Sequence, residues 1–377
     1  MNISKLKVYS TYAQGAAHYF AGNGSAPNQI RRVIYEITYR CNLRCSFCYF
    51  WGTENREKNL KMLRKDDELT YNEIQGILIP QMKEMNTQGI TMTGGEVFVR
   101  QDINDVLRLF NEEGFQQTIL SNLTVCDDKK IESISNHVNK IIVSIDGHTP
   151  ELHDQIRGVK GAFKRSTDTM KKIIDIKSPN LTTAINCVIT ENNMHNLSGV
   201  VDVARATDVD GIAFQFLDWQ TDDSKASTGF MKDQESNIHS VTRASNDTEV
   251  DASIVFDQLQ KARDKADAYG IKFHTFPMPM PEHQNQVEKW HTDHNYSYTK
   301  RCMSPFIQVR VNAYGDVLPC PLEIFMGNIR REPLRDIWNN TKFKALRRGL
   351  RNQLTERCHK CSKLTGMYNK HITTIRR

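Results

Sequence analysis

The 377-residue sequence contains no apolar stretch long enough to cross a bilayer. It also lacks a basic-then-apolar leader, because Lys5 and Lys7 are followed by a mixed segment without a sustained apolar run. Both absences predict a cytoplasmic protein with no membrane span. A disulfide framework is missing too: the nine cysteines are odd in number and cluster in C-x2-C spacings, which points to metal ligation in a reducing compartment. No internal repeat is evident. The excess of one charge sign is small, a net +6, concentrated late in the chain at Arg347, Arg348, Arg351, Arg357, Lys360, Lys363, Arg376 and Arg377. That grouping reads as a solvated helix face, or as a patch for an anionic partner. No RNA-binding motif accompanies it, so nucleic acid is not the favoured partner.

What is present is a regular alternation of short apolar runs and amphipathic stretches from about Arg32 to His274. Strands are predicted at residues 32–38, 89–93, 117–120, 140–145, 181–189 and 211–216, with helices between them, and a helix over 252–269 and a strand near 271–275 resume the core after a polar break. This is an α/β pattern, and it argues for a partial (β/α)6 TIM-like barrel spanning 31–276 whose chemistry sits on the loops after the strands. Residues 1–30 read as an N-terminal extension and 218–250 as a polar insertion or lid. The alternating prolines at 277–281 open a linker to residue 300, and 301–377 forms a small β-hairpin and helix domain.

The first strand is followed by Cys41, Cys45 and Cys48 in the spacing C-x3-C-x2-C, with no fourth cysteine nearby. Three thiolates on a [4Fe–4S] cube leave one iron open to a ligand; a structural zinc completed by a distant histidine is the alternative. Thr91-Met-Thr-Gly94-Gly95-Glu96 ends the second strand. Paired glycines allow close backbone approach to a ligand, and the carboxylate can accept from an ammonium group.

On these residues the segment from Arg32 to Phe216 resembles the radical S-adenosylmethionine (SAM) superfamily. The resemblance implies that Cys41, Cys45 and Cys48 hold a [4Fe–4S] cluster whose open iron is chelated by SAM. It further implies that Phe47 packs near the adenine and that Gly94, Gly95 and Glu96 receive the methionyl ammonium. Ser121, Asn122, Ser144 and Asp146 would contact SAM, with Arg157 on its carboxylate. Such chemistry requires no Ser-His-Asp or paired-carboxylate arrangement, since the cofactors perform the difficult step.

A second cysteine group, Cys302, Cys320, Cys358 and Cys361, suits tetrahedral zinc or a fully ligated Fe–S cluster. Its C-x12-G-x4-C arrangement around Gly315, the Gly-Asn-Ile, the Ile-Trp helix and the late C-x2-C resemble the SPASM or Twitch extension of radical SAM enzymes. That resemblance implies one auxiliary [4Fe–4S] cluster. Cys187 reads as core packing, Cys126 as a buried thiol, and His274, His283, His291 and His294 as solvated linker residues.

The expected function is therefore reductive SAM cleavage, substrate hydrogen abstraction, and an oxidation or C–C/C–X bond formation aided by the auxiliary cluster. A flavodoxin- or ferredoxin-type electron donor is implied, with a peptide or a small-molecule cofactor precursor as substrate. The cluster motif begins at Cys41, which leaves no room before it for a separate peptide-recognition domain. Gln215, Asp218 and Trp219 are candidate substrate contacts. The alternatives are a zinc-stabilised binding scaffold without catalysis and a nucleic-acid-modifying radical SAM enzyme.

Overall fold

The computed structural model describes residues 3–48, 50–52, 67–218, 250–277, 280–293, 295–322 and 324–364. Trp219, most of the polar insertion, His294, Arg376 and Arg377 lie outside the described residues.

Seven parallel strands form the frame: β1 (Arg32–Thr38), β2 (Gly89–Gly94), β3 (Gln116–Ser121), β4 (Lys140–Ser144), β5 (Thr182–Ile189), β6 (Gly211–Phe216) and β7 (Lys272–Phe276). They pair in sequence order, each separated by helical segments, as right-handed βα crossovers require. The helix Ala252–Ala268 and β7 resume the core after the insertion where a helix and a strand are expected, adding a seventh unit to the six of the main alternation. Burial alternates along β4, where Ile141 and Val143 face the helices while Lys140, Ile142 and Ser144 stay half-buried on the concave face. Each fully buried Ile or Val contributes roughly 1.5–3 kcal/mol, which fixes the register.

The cysteine-rich unit does not stand apart. Its strand β8 (Gln308–Val311) joins the same sheet in parallel with β1, pairing Arg32 with Gln308 and Tyr35 with Val311. The antiparallel strands β9 (Asp316–Leu318) and β10 (Gly327–Asn328) extend that edge, giving a ten-stranded order β10-β9-β8-β1-β2-β3-β4-β5-β6-β7. An ion pair marks the join: Arg310 on β8 binds Glu36 on β1 and donates to the Cys320 carbonyl at 3.1 Å.

Two segments read as extension and linker are ordered helices. Ile3–Ala21 packs on the short helix Ser304–Ile307, with the Tyr19 and Phe306 rings 5.5 Å apart. Gln284–Thr292 buries Val287 and Trp290, and the Lys360 ammonium donates to the Lys289, Trp290 and Asp293 carbonyls at its end. His291 on this helix is largely buried rather than solvated, and burial lowers its pKa to about 4. Arg347 and Lys360, read as part of an exposed basic face, are buried for the same reason: they satisfy backbone carbonyls inside the fold.

Candidate functional site

Parallel strands place their carboxyl ends on one rim, and the loop after β1 carries the first cysteines there. This loop is held by helix Pro150–Arg157, whose Arg157 and Ile156 carbonyls accept from the Arg44 and Ser46 N–H groups at 3.1 and 3.0 Å. Thr149 caps that helix and Gly158 ends it at φ 70°, so a side chain there is strained. A Cβ at Gly158 would also lie 2.4 Å from the Arg44 carbonyl oxygen, so glycine permits the contact with the cysteine loop.

Each thiol has a nitrogen donor. Leu43 N–H donates to Cys41 Sγ at 3.4 Å, Trp51 N–H to Cys48 Sγ at 3.2 Å, and Arg157 Nη1 to Cys45 Sγ at 3.6 Å. The surroundings are largely apolar: Leu43, Cys45 and Ala162 form a small buried cluster against which the partly buried Cys41, Phe47, Cys48 and Val159 pack. Burial pushes the Cys41 thiol up to about 12 and raises Cys45 as well, so a metal group binding there has to displace their protons.

The Gly-Gly-Glu turn lies directly against this loop. Gly95 N–H donates to the Thr38 carbonyl at 2.7 Å and Glu96 N–H to the Arg40 carbonyl at 2.8 Å. A Cβ at Gly94 would come within 2.2 Å of Thr38 O, and one at Gly95 within 2.2 Å of Arg40 O. The close approach expected toward a ligand is thus made toward the chain's own backbone. Glu96 is buried, and its carboxylate is held by neighbouring donors. It accepts from Ser121 Oγ at 2.7 Å, Asn122 N–H at 2.7 Å and Phe98 N–H at 3.1 Å. Burial raises its pKa against the pull of those donors.

Ser121 and Asn122 therefore serve the neighbouring strand end. Asn122 continues the network, donating to Asn42 Oδ1 at 3.1 Å and accepting from Thr124 Oγ1 at 2.6 Å. Asn42, between the first two cysteines, carried no recognisable signal in the sequence; only the adjacency of β1, β2 and β3 gives it a role. Asp146 and Arg157 meet as an ion pair of 2.5 Å, both nearly inaccessible. Burial opposes the Arg157 charge, but Asp146 and Cys45 overcome it and hold the guanidinium protonated above its usual range.

Farther along the rim, Ser144 pairs with Asn186, Asn186 Nδ2 donates to Gln215 Oε1 at 3.5 Å, and Lys363 Nζ donates to the same oxygen at 2.7 Å. Asp218 accepts from Ser362 N–H at 2.6 Å. Lys363 and Asp218 also line a cavity together with Cys302, Cys320, Cys358 and Cys361, so the structure gathers all four late cysteines. Among the described residues no three ligand side chains converge on a point as a single ion requires. Four thiols lining one cavity with Arg357 form a donor set that suits a fully ligated cluster as well as a zinc ion. Cys187 is buried in β5, as expected; Cys126 is only partly buried, and burial lifts both thiols well above their ordinary range.

Comparison with known families matches residues 35–203 to the radical SAM superfamily and residues 302–362 to the SPASM iron-sulfur cluster-binding domain. The chain is a SPASM-type radical SAM enzyme. Its domains imply a SAM-binding [4Fe–4S] cluster and auxiliary iron-sulfur binding, and the match to an iron-sulfur domain displaces the zinc scaffold. The enzyme is similar to AdoMet-dependent heme synthase of Methanosarcina barkeri, 24% identical over 326 residues and 85% of each chain. It is also similar to the antilisterial bacteriocin subtilosin biosynthesis protein AlbA of Bacillus subtilis, 22% identical over 335 residues, covering 87% of this chain and 64% of AlbA. Among solved structures, Streptococcus suis SuiB shares the fold with a TM-score of 0.63 at 16% identity, covering 93% of this chain and 74% of SuiB. No helix among the described residues is long and apolar enough to cross a membrane.

Proposed function

We propose that this radical SAM enzyme modifies a peptide held between its two cysteine sites, oxidising it or joining two of its atoms. The observation that carries this reading is the polar arc Ser144, Asn186, Gln215 and Lys363. It runs along the rim from β4 to the loop of Cys361, and Asp218 stands at its end. Hydroxyl, amide, ammonium and carboxylate in sequence offer the alternating donors and acceptors that a peptide backbone needs. AlbA, by its name a bacteriocin biosynthesis protein, supports the same class.

In this reading Cys41, Cys45 and Cys48 hold the SAM-binding cluster, and Cys302, Cys320, Cys358 and Cys361 hold one auxiliary [4Fe–4S] cluster. A cluster and SAM bound there would supply one-electron reductive chemistry for hydrogen abstraction, with a flavodoxin- or ferredoxin-type protein as the electron donor. The chain's residues do the rest. Glu96 and the glycines fix the loop after β2 against the cysteine loop, which keeps the two loops in register. Phe47 and the carbonyls of Gly94 and Gly95 border the SAM position, and the arc orients the carbon to be attacked. The heme synthase relative, matched over 85% of both chains, supports a second reading with a haem precursor as substrate.

The test is 5′-deoxyadenosine formation by the reconstituted enzyme with SAM and dithionite, with and without short peptides encoded beside its gene. A peptide that stimulates the rate and loses two hydrogens by mass supports the proposal. Stimulation by a haem-precursor tetrapyrrole and by no such peptide would refute it.

A further inference from the structure

Arg157 is a buried cation placed against a cysteine sulfur. Its Nη1 donates to Cys45 Sγ at 3.6 Å, and its guanidinium carbon lies 5.5 Å from the Phe47 ring centre. Nη2 is fixed by Asp146 Oδ2 at 2.5 Å. Asp146 is itself clamped, since its other oxygen accepts from Val188 N–H at 2.8 Å and its carbonyl from Asn193 Nδ2 at 2.8 Å. The fork is thereby aimed at the thiol from the β4–β5 side.

Reduction makes a thiolate-ligated cluster more negative by one charge. A cation donating a hydrogen bond to one of its sulfurs, in a largely apolar site, favours the reduced form more than the oxidised form. We propose that Arg157, oriented by Asp146, is a positioning residue that sets the reduction potential of the first cluster through Cys45. It lifts that potential toward what the electron donor can reach. This adds to the carboxylate contact implied by the family resemblance, since Nη1 and Nη2 engage Cys45 and Asp146 while the buried Nε carries no hydrogen bond.

The experiment is an EPR-monitored redox titration of the reconstituted full chain without SAM, comparing parent, Arg157→Gln and Arg157→Lys. The first-cluster signal is assigned by its loss in a Cys45→Ala chain, and SAM affinity is measured in parallel by equilibrium dialysis. Arg157→Gln should make reduction about tenfold less favourable, a drop of ~59 mV for a one-electron couple. Arg157→Lys should recover part of that loss. An unchanged midpoint with weakened SAM binding would overturn the proposal and return Arg157 to the carboxylate. Should the Gln variant hold no cluster, pulsed EPR on parent chain grown with 15N-arginine decides. A weak guanidinium 15N coupling that disappears in Arg157→Lys supports the contact, and its absence in the parent refutes it.

Discussion

Gly95 has no left-handed backbone angle, yet a Cβ there would lie 2.2 Å from the Arg40 carbonyl oxygen. Glycine is required by proximity alone, and what it approaches is the loop leading into Cys41. Gly95→Ala must push the β2 turn off that loop, an overpacking cost of about 1–3 kcal/mol. The variant should show a lower urea midpoint as apoprotein and reduced iron retention after reconstitution; parent-like values for both would contradict the packing account. At this scale the sequence was informative where residues adjacent in the chain act together, as in the cysteine triad and Gly-Gly-Glu. It was silent where the partner arrives from another strand. Glu96, Ser121 and Asn122 were all singled out, but nothing in their spacing showed that they would satisfy one another.

Between elements, Glu73 joins the helix through residues 71–84 to the segment after β10. It caps its own helix through Thr70 and forms a two-point contact with Arg330, Nε to Oε1 at 2.7 Å and Nη2 to Oε2 at 3.0 Å. Hydrogen bonding from Arg330 brings the Glu73 carboxyl down from 4.5 to about 2. A depressed acid pKa gives stability that is complete above the unfolded value and is lost as pH falls from about 4.5 toward 2. Full linkage would amount to ~3 kcal/mol, and solvent access to the pair reduces this to roughly 1–2 kcal/mol. Glu73→Gln should therefore destabilise the apoprotein near neutral pH while flattening its stability between about pH 4.5 and pH 2.5. An unchanged acid slope in urea unfolding would count against the contact. Element recognition from sequence failed in the same regions. Gln284–Thr292 was hidden behind prolines and polar composition, although Val287 and Trp290 at i and i+3 were the available sign. Ile3–Ala21 is helical by virtue of its packing on Ser304–Ile307, a partner about 300 residues away in the chain.

For the molecule as a whole, the cysteine-rich unit and the barrel share one sheet, and Arg347 shows how closely the segments around Gly24 and Pro305 are joined. It is fully buried, lies 4.2 Å from the Trp338 ring centre, and donates to the Pro305 and Gly24 carbonyls at 2.7 and 3.4 Å. The strand–helix alternation made the parallel barrel legible, because each unit is local. The β1–β8 pairing was not, because it joins residues far apart in sequence and leaves no periodic trace. Its consequence is functional: Arg310 links Glu36 on β1 to the Cys320 carbonyl, so the two cysteine sites are built on adjoining strands. The central claim is that both sites hold clusters and that the first alone cleaves SAM. The most direct measurement is iron and sulfide content with dithionite-driven 5′-deoxyadenosine formation, in the parent and in a Cys41→Ala/Cys45→Ala/Cys48→Ala chain. About eight irons falling to about four, with 5′-deoxyadenosine abolished, is the predicted result. Four irons or fewer in the parent, or SAM cleavage surviving in the variant, would contradict it.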